Sequence, residues 1–152
     1  MIRCEILLDK TQVMVYFKLY AEDFPLEIVT ERLGVNPTKI YKKGEIIRRI
    51  SETETHTRSY SSWELSTGYQ DSLDVGELLE QVIRQIRNKT SIINELKKEF
   101  GLECRFVIVA IMENGYTPAL YLDIPVIEFA NSIKADFDID LYANPYVEEA
   151  ED

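Results

Sequence analysis

The sequence predicts an α+β fold: an antiparallel or mixed sheet with helices packed on one face, ferredoxin-like, single or doubled. Three observations carry this expectation. Residues 12–20, QVMVYFKLY, alternate apolar and polar positions, as a half-buried strand does. Residues 74–87 repeat Val75, Leu78, Leu79, Val82, Ile83 and Ile86 at helical spacing, which makes one broad apolar face. Residues 107–111 are apolar on both strand faces, the pattern of a strand at the centre of a sheet.

The remaining elements follow in chain order. Ile2 to Leu8 also alternates, and the turn Asp9-Lys10-Thr11 places it to pair with 12–20. In that second strand Val13, Val15, Phe17 and Leu19 share one face, with Tyr16, Lys18 and Tyr20 on the other. Pro25 suits the first turn of a helix, and Asp23 and Glu27 favour its positive end. Leu26, Val29 and Leu33 form its stripe; Gly34 in the C′ position closes it and Pro37 prevents its resumption. KIYKKGEII, from Lys39, begins an extended segment.

Residues 51–62, SETETHTRSYSS, are too polar for a core and read as a long hairpin loop leading into a strand. There Trp63 and Leu65 lie on one face and Glu64 on the other. After the helix at 74–87, Thr90 or Ser91 caps a second helix, with Ile92, Ile93, Leu96 and Phe100 inward and Gly101 as its stop. LECRFVIVAIM is the central strand, and Asn114-Gly115 is a hairpin signal from which Tyr116 to Leu122 is expected to return antiparallel.

Two segments, LYAEDFPLEIVTERLGVNPTKIY and LYLDIPVIEFANSIKADFDIDLY, both run strand, acid, Pro, amphipathic helix, strand, and are the ground for a doubled arrangement. No linker rich in Gly, Pro or Ser divides the chain. Residues 1–147 are therefore expected as a single domain, followed by an acidic tail at 148–152.

Composition narrows the function classes. With 45% hydrophobic and 29% charged residues, nine Tyr and six Phe, the chain is expected to fold as a soluble globule rather than stay disordered. No apolar run approaches the roughly 20 residues of a membrane helix. Arg3, Glu5 and Asp9 break any signal-peptide core, so a cytoplasmic location is expected. Cys4 and Cys104 fit that compartment as buried reduced thiols. One histidine and two distant cysteines leave no zinc-site spacing, and no metal or cofactor is expected.

Net charge is −10, which at long range repels nucleic acid and anionic membrane and attracts a basic partner. The charge is unevenly spread. Residues 39–58 hold Lys39, Lys42, Lys43, Arg48, Arg49 and Arg58 against three acids, whereas 136–152 hold seven acids and no base.

The cationic stretch has a single glycine followed by Glu45, where a phosphate loop needs several glycines and a Lys followed by Ser or Thr. It reads first as a connection with solvated lysines. DFDID, 136–140, places Asp136, Asp138 and Asp140 in a row on one strand face. Leu141 stands where a calcium loop needs Gly, and residues two apart on a strand lie roughly 6.6 Å apart, too far for three to share one ion. The row is either a charged edge that discourages aggregation or an acidic ridge for a basic protein. His56 sits among Ser and Thr with nothing to fix its orientation, so no catalytic group and no enzyme are expected. Trp63 is a core anchor or, facing outward beside Tyr60, an interface hot spot.

Taken together, Pro25, Val29-Thr30, Leu33-Gly34-Val35, Pro37-Thr38, Lys43-Gly44 and Trp63-Glu64-Leu65-Ser66 resemble the bacterial "domain of unknown function 4279" family, most strongly over residues 12–66. The resemblance implies an α+β fold without an established activity. It also implies a likeness to small acidic immunity proteins, which neutralise a co-encoded toxin and need no catalytic residues.

The expected function is a non-catalytic cytoplasmic protein-binding module, in its most specific form an immunity-type inhibitor of a basic toxin. Asp136, Asp138, Asp140, Glu148 and Glu149 would form its contact surface. The alternative is a module in which Lys42, Lys43, Arg48, Arg49 and Trp63 line a pocket for an anionic small molecule. Oligomeric state is not legible.

Overall fold

The computed structural model describes residues 10–146. The expected strand Ile2 to Leu8, Cys4, and Glu148 and Glu149 of the acidic tail lie outside the described residues.

The class is α+β: four helices and a six-stranded mixed sheet, with a separate two-stranded hairpin. In chain order the elements are β1 (Gln12–Ala21), α1 (Leu26–Leu33), β2 (Lys39–Tyr41), β3 (Ile46–Arg49), β4 (Thr55–Thr57), β5 (Ser61–Ser66), β6 (Gln70–Asp71), α2 (Val75–Ile86), α3 (Thr90–Phe100), β7 (Glu103–Met112), α4 (Ile124–Ser132) and β8 (Asp136–Ala143). Strand order is β2-β5-β1-β7-β8, with β6 pairing the start of β1.

From β1 to β7 every neighbouring pair is antiparallel, whereas β8 runs parallel to β7. The parallel strands β1 and β2 therefore flank β5, and the parallel strands β5 and β7 flank β1. Each strand–helix–strand crossover is split by one antiparallel strand. The β3–β4 hairpin is an insertion at the tip of the β2–β5 connection.

Alternation decides which face is which. Val13, Val15, Phe17 and Leu19 are fully buried, and their register partners Ala110, Ile108, Phe106 and Cys104 lie on the same side. With Trp63 and Leu65 of β5 they meet the stripes of the helices: Val29 and Leu33 of α1, Leu78, Leu79, Val82 and Ile83 of α2, Ile93 and Leu96 of α3. Phe106 is the hub of that core, with its ring centroid 5.1 Å from Phe17, 5.3 Å from Phe137 and 6.4 Å from Phe129. Val107 and Val109 are also buried but stand apart from this cluster, on the sheet's other face. That is why β7 reads as apolar on both sides.

Local signals account for most boundaries. Gly34 (φ 69°) and Gly101 (φ 66°) end α1 and α3 in the left-handed region that favours glycine. Asp74 and Asp123 cap α2 and α4 by accepting from the Gly76 and Val126 amides, each at 3.0 Å. Pro25 stands one place earlier than expected, at the N-cap of α1. The cap expected from Thr90 or Ser91 is not formed. The Ile93 amide bonds the Lys89 carbonyl at 2.8 Å, so the helix begins at once after α2, with Lys89 as its N-cap.

Three further expectations change. The extended segment from Lys39 is cut at Gly44 (φ 90°), so β2 and β3 join different sheets. The polar stretch 51–62 is not all loop: Thr55–Thr57 pairs with β3, and Ser61 and Ser62 are fully buried in β5. At Asn114-Gly115 the turn exists, with both residues at positive φ and the Tyr116 amide on the Glu113 carbonyl at 3.0 Å, but no strand returns from it. Pro118 has no amide to give to a ladder. Ala119 bonds Leu73 and Val75 instead, in a single parallel bridge beside the start of α2. The second of the two similar segments therefore contributes only α4 and β8, with Leu120 to Leu122 outside any strand.

Trp63 is the anchor between sheet and helices. It has no solvent exposure, and its indole Nε1–H donates to Thr30 Oγ1 at 2.9 Å. Thr30→Val leaves that buried donor unpaired and should cost about 1–3 kcal/mol in urea unfolding. Thr30→Ser, which keeps the acceptor, should recover most of the loss.

Candidate functional site

Among the described residues, the helices cover one face of the sheet and leave the other to side chains of its own strands. Register places these in rows. One row crosses all five strands as Lys39, Glu64, Lys18, Arg105 and Asp136. The next is Ser66, Tyr16, Val107 and Asp138, and beyond it Met14, Val109 and Asp140. On the other side of the charged row lie Tyr41, Ser62, Tyr20 and Glu103. Cations here stand over rings: Lys18 Nζ is 4.5 Å from the Tyr20 centroid and 5.9 Å from that of Tyr60, and the Arg58 guanidinium is 3.8 Å from Tyr41. An open depression of about 560 Å³ lies at this corner, lined by Lys18, Tyr20, Glu22, Tyr60 and Glu103.

The three aspartates of β8 share this face, as their spacing predicts, yet they are not equivalent. Asp136 takes a two-pronged contact from Arg105, Nε to Oδ1 at 2.7 Å and Nη2 to Oδ2 at 3.1 Å. That contact holds the Asp136 carboxyl below the usual carboxylate range and raises the Arg105 guanidinium. Asp138 and Asp140 have no ion-pair partner among the described residues. They flank the buried Val107 and Val109 and act on Tyr16. Burial first, then Glu64, Asp140, Tyr60 and Asp138, push the Tyr16 hydroxyl up to about 12. Tyr20 is raised too, by burial and by its hydrogen bond with Glu103.

The basic stretch does not converge on a pocket. Lys43 Nζ bonds Glu22 at 2.6 Å, and its amide donates to Ser61 Oγ, which in turn donates to Asp23 at 3.1 Å. This corner ties the β2–β3 turn to the entry of α1. Lys42 is exposed at the same turn, and Arg48 and Arg49 are exposed in the separate β3–β4 hairpin, where Arg48 stands opposite His56. Trp63 points to the helix side and is sealed in the core, so it cannot line a site with these cations.

Cys104 is buried, its thiol raised chiefly by that burial and donating to the Ile133 carbonyl at 3.2 Å. Among the described residues no group of three or more His, Cys, Asp or Glu is placed to hold a metal ion. No helix among them is long and apolar enough to cross a membrane.

Residues 11–144, from β1 through β8, match the domain of unknown function DUF4279. The chain belongs to the DUF4279 family. No curated protein and no solved structure matches it.

The residues that carry the DUF4279 resemblance prove to be scaffold. Thr30 holds Trp63, Gly34 closes α1, and Thr38 joins β2 to β5 through its amide on the Glu64 carbonyl at 2.7 Å and its Oγ1, which accepts from the Ser66 amide at 2.9 Å. The rows of the uncovered face were not legible beforehand, because they depend on which strands become neighbours. Glu64 and Tyr16, diagonal neighbours across β5 and β1, are 48 positions apart in the chain and carried no signal linking them to the aspartates.

A pH dependence follows from Tyr16. Its folded value lies above the ordinary 10.0, so the stability it contributes is fully present below pH 10 and is lost as pH rises towards about 12. Tyr20 acts with the same sign. Denaturant unfolding across this alkaline range should show a fall in stability that is shallower in Tyr16→Phe.

Proposed function

We propose that this protein is a non-catalytic binding module that acts in the cytoplasm and uses its uncovered sheet face, at the β8 end, to hold a basic protein partner. An immunity-type inhibitor of a basic toxin is the most specific form of this reading. The split crossovers from β1 to β7 support a ferredoxin-like scaffold extended by α4 and β8. The observation that carries the reading is the contrast within β8. Asp136 is neutralised by Arg105, whereas Asp138 and Asp140 stand un-neutralised among the described residues, in register with the buried Val107 and Val109 and acting across them on partly buried Tyr16. A desolvated cation from a partner would complete this arrangement, and the net charge of −10 would speed its arrival.

The alternative, an anionic small molecule, has one observation in its favour: Lys18 framed by Tyr20 and Tyr60 in the depression at the other corner. Glu22 and Glu103 on the same rim work against an anion. A thermal-shift screen with nucleotides and sugar phosphates separates the readings, since a ligand of the folded state raises its melting temperature.

The direct test is a pull-down with tagged protein from lysate, eluted by a salt gradient, comparing wild type with the Asp138→Lys/Asp140→Lys double variant. A basic protein should be retained by wild type and lost from the variant, with affinity for the purified partner reduced roughly tenfold or more in calorimetry. Equal retention by both would sink the reading.

A further inference from the structure

We propose that the outer edge of β8 is a strand-addition site, which takes an extended segment of a partner protein in which apolar residues alternate with Lys or Arg. The inference rests on the protein-binding reading above and specifies how the partner is held.

The first ground is the edge itself. β8 is eight residues long and closes one side of the sheet, while the opposite edge, β2, has three. Its backbone ladder is with β7 alone among the described residues, and no turn, loop or cap bond among them reaches Asp136–Ala143. A parallel ladder uses the groups on one side of the strand, which leaves the outward amides and carbonyls as a template for another strand.

The second ground is what lies beside that edge on the helix side. Phe137, Ile139 and Leu141 point to the core face in register with Phe106, Ile108 and Ala110, yet Ile139 is 37% and Leu141 58% exposed. The helix layer stops short of the edge. It leaves an apolar cavity of about 220 Å³, lined by Ile108, Ala110, Pro118, Leu120, Ile139 and Leu141. A second hollow of about 430 Å³ lies between Ile127 and Ala130 of α4 and Phe137 at the start of the strand. Successive side chains of an added strand point to opposite faces. Those on the helix side would enter the two hollows, and those between them would emerge on the uncovered face beside Asp138 and Asp140.

Charge selects the occupant. A second copy of this chain pairing β8 to β8 about a two-fold axis would set aspartates against aspartates, and like charges directly opposite across a ladder are destabilising. The same aspartates favour a strand with Lys or Arg at alternate positions. The row therefore blocks self-pairing of a long exposed edge and also chooses what joins it.

The test uses a fluorescein-labelled peptide of alternating Lys and Val, long enough to match β8, with binding followed by fluorescence anisotropy. Two further peptides carry N-methyl groups, one on every Lys and the other on every Val. In a strand these two sets of amides point to opposite edges, so with Lys on the aspartate face one set faces β8 in an antiparallel ladder and the other in a parallel one, and the form that binds weakly reports the direction in which the segment docks. The plain peptide should bind; one methylated form should bind roughly tenfold more weakly or worse, and the other about as well as the plain peptide. Leu141→Lys, at an exposed position and so compatible with folding, should weaken the plain peptide as well.

Equal binding of all three peptides would overturn strand addition while leaving the basic-partner reading intact, since charge alone would then hold them. Absence of binding by the plain peptide would also overturn it, and the pull-down then decides separately whether the broader reading falls. Amides of 137–141 already fully protected from hydrogen exchange in the free protein, outward ones included, would show the edge to be occupied and would overturn it too.

Discussion

The rest of the structure depends on β7 being buried on both faces. One face, through Phe106, Ile108 and Ala110, meets the helices; the other, through Val107 and Val109, is buried outside that core cluster. β7 is also the strand that pairs antiparallel with β1 and parallel with β8. Phe106 joins both roles, since its ring meets Phe17, Phe137 and Phe129 on three different elements. Removing such a ring from a fully packed site costs about 3–5 kcal/mol, a large share of the stability of an ordinary domain.

From this constraint comes the division of labour between the two faces. Helices α1, α2 and α3 seal one side, and their contacts use residues on which the resemblance to the family rests, such as the Thr30–Trp63 pair. The other side is left, among the described residues, to rows of charge and tyrosine that cross three to five strands. In such rows a group's chemistry is set by its neighbours. Asp136 beside Arg105 is an ion-paired carboxylate, and Asp140 beside Val109 has no ion-pair partner among the described residues, although both come from the same alternating pentapeptide. That difference is what makes one part of β8 structural and the next part available.

Much of the fold was legible because it rests on local periodicity. The α2 stripe, the glycine stops after α1 and α3, the alternation of β1 and the two-sided apolarity of β7 each need only a short window of chain. Misreadings arose where a local signal was sound and its continuation was not. Asn114-Gly115 makes the turn it encodes, but Pro118 withholds an amide and Ala119 finds its partners beside α2. Thr90 has the right chemistry for a cap but stands one place too late, as the first residue of α3 after the N-cap Lys89. Ser61 and Ser62 look like loop residues by composition, yet they pair with Ala21 and Tyr20 of β1 and are buried.

The sequence by itself determined the class of the fold, its helices, its central strand, its acidity and the shared face of the three aspartates, since those are properties of spacing and composition. Only the tertiary structure decided that Arg105 would neutralise Asp136 and leave Asp138 and Asp140 free of an ion pair among the described residues, that Trp63 would be sealed away from Lys42 and Arg48, and that β8 would stand at an edge with apolar hollows beside it. The physical reason is that strand order joins residues distant in the chain. A one-dimensional pattern says which side of a strand a residue occupies, and only pairing between strands says what stands next to it.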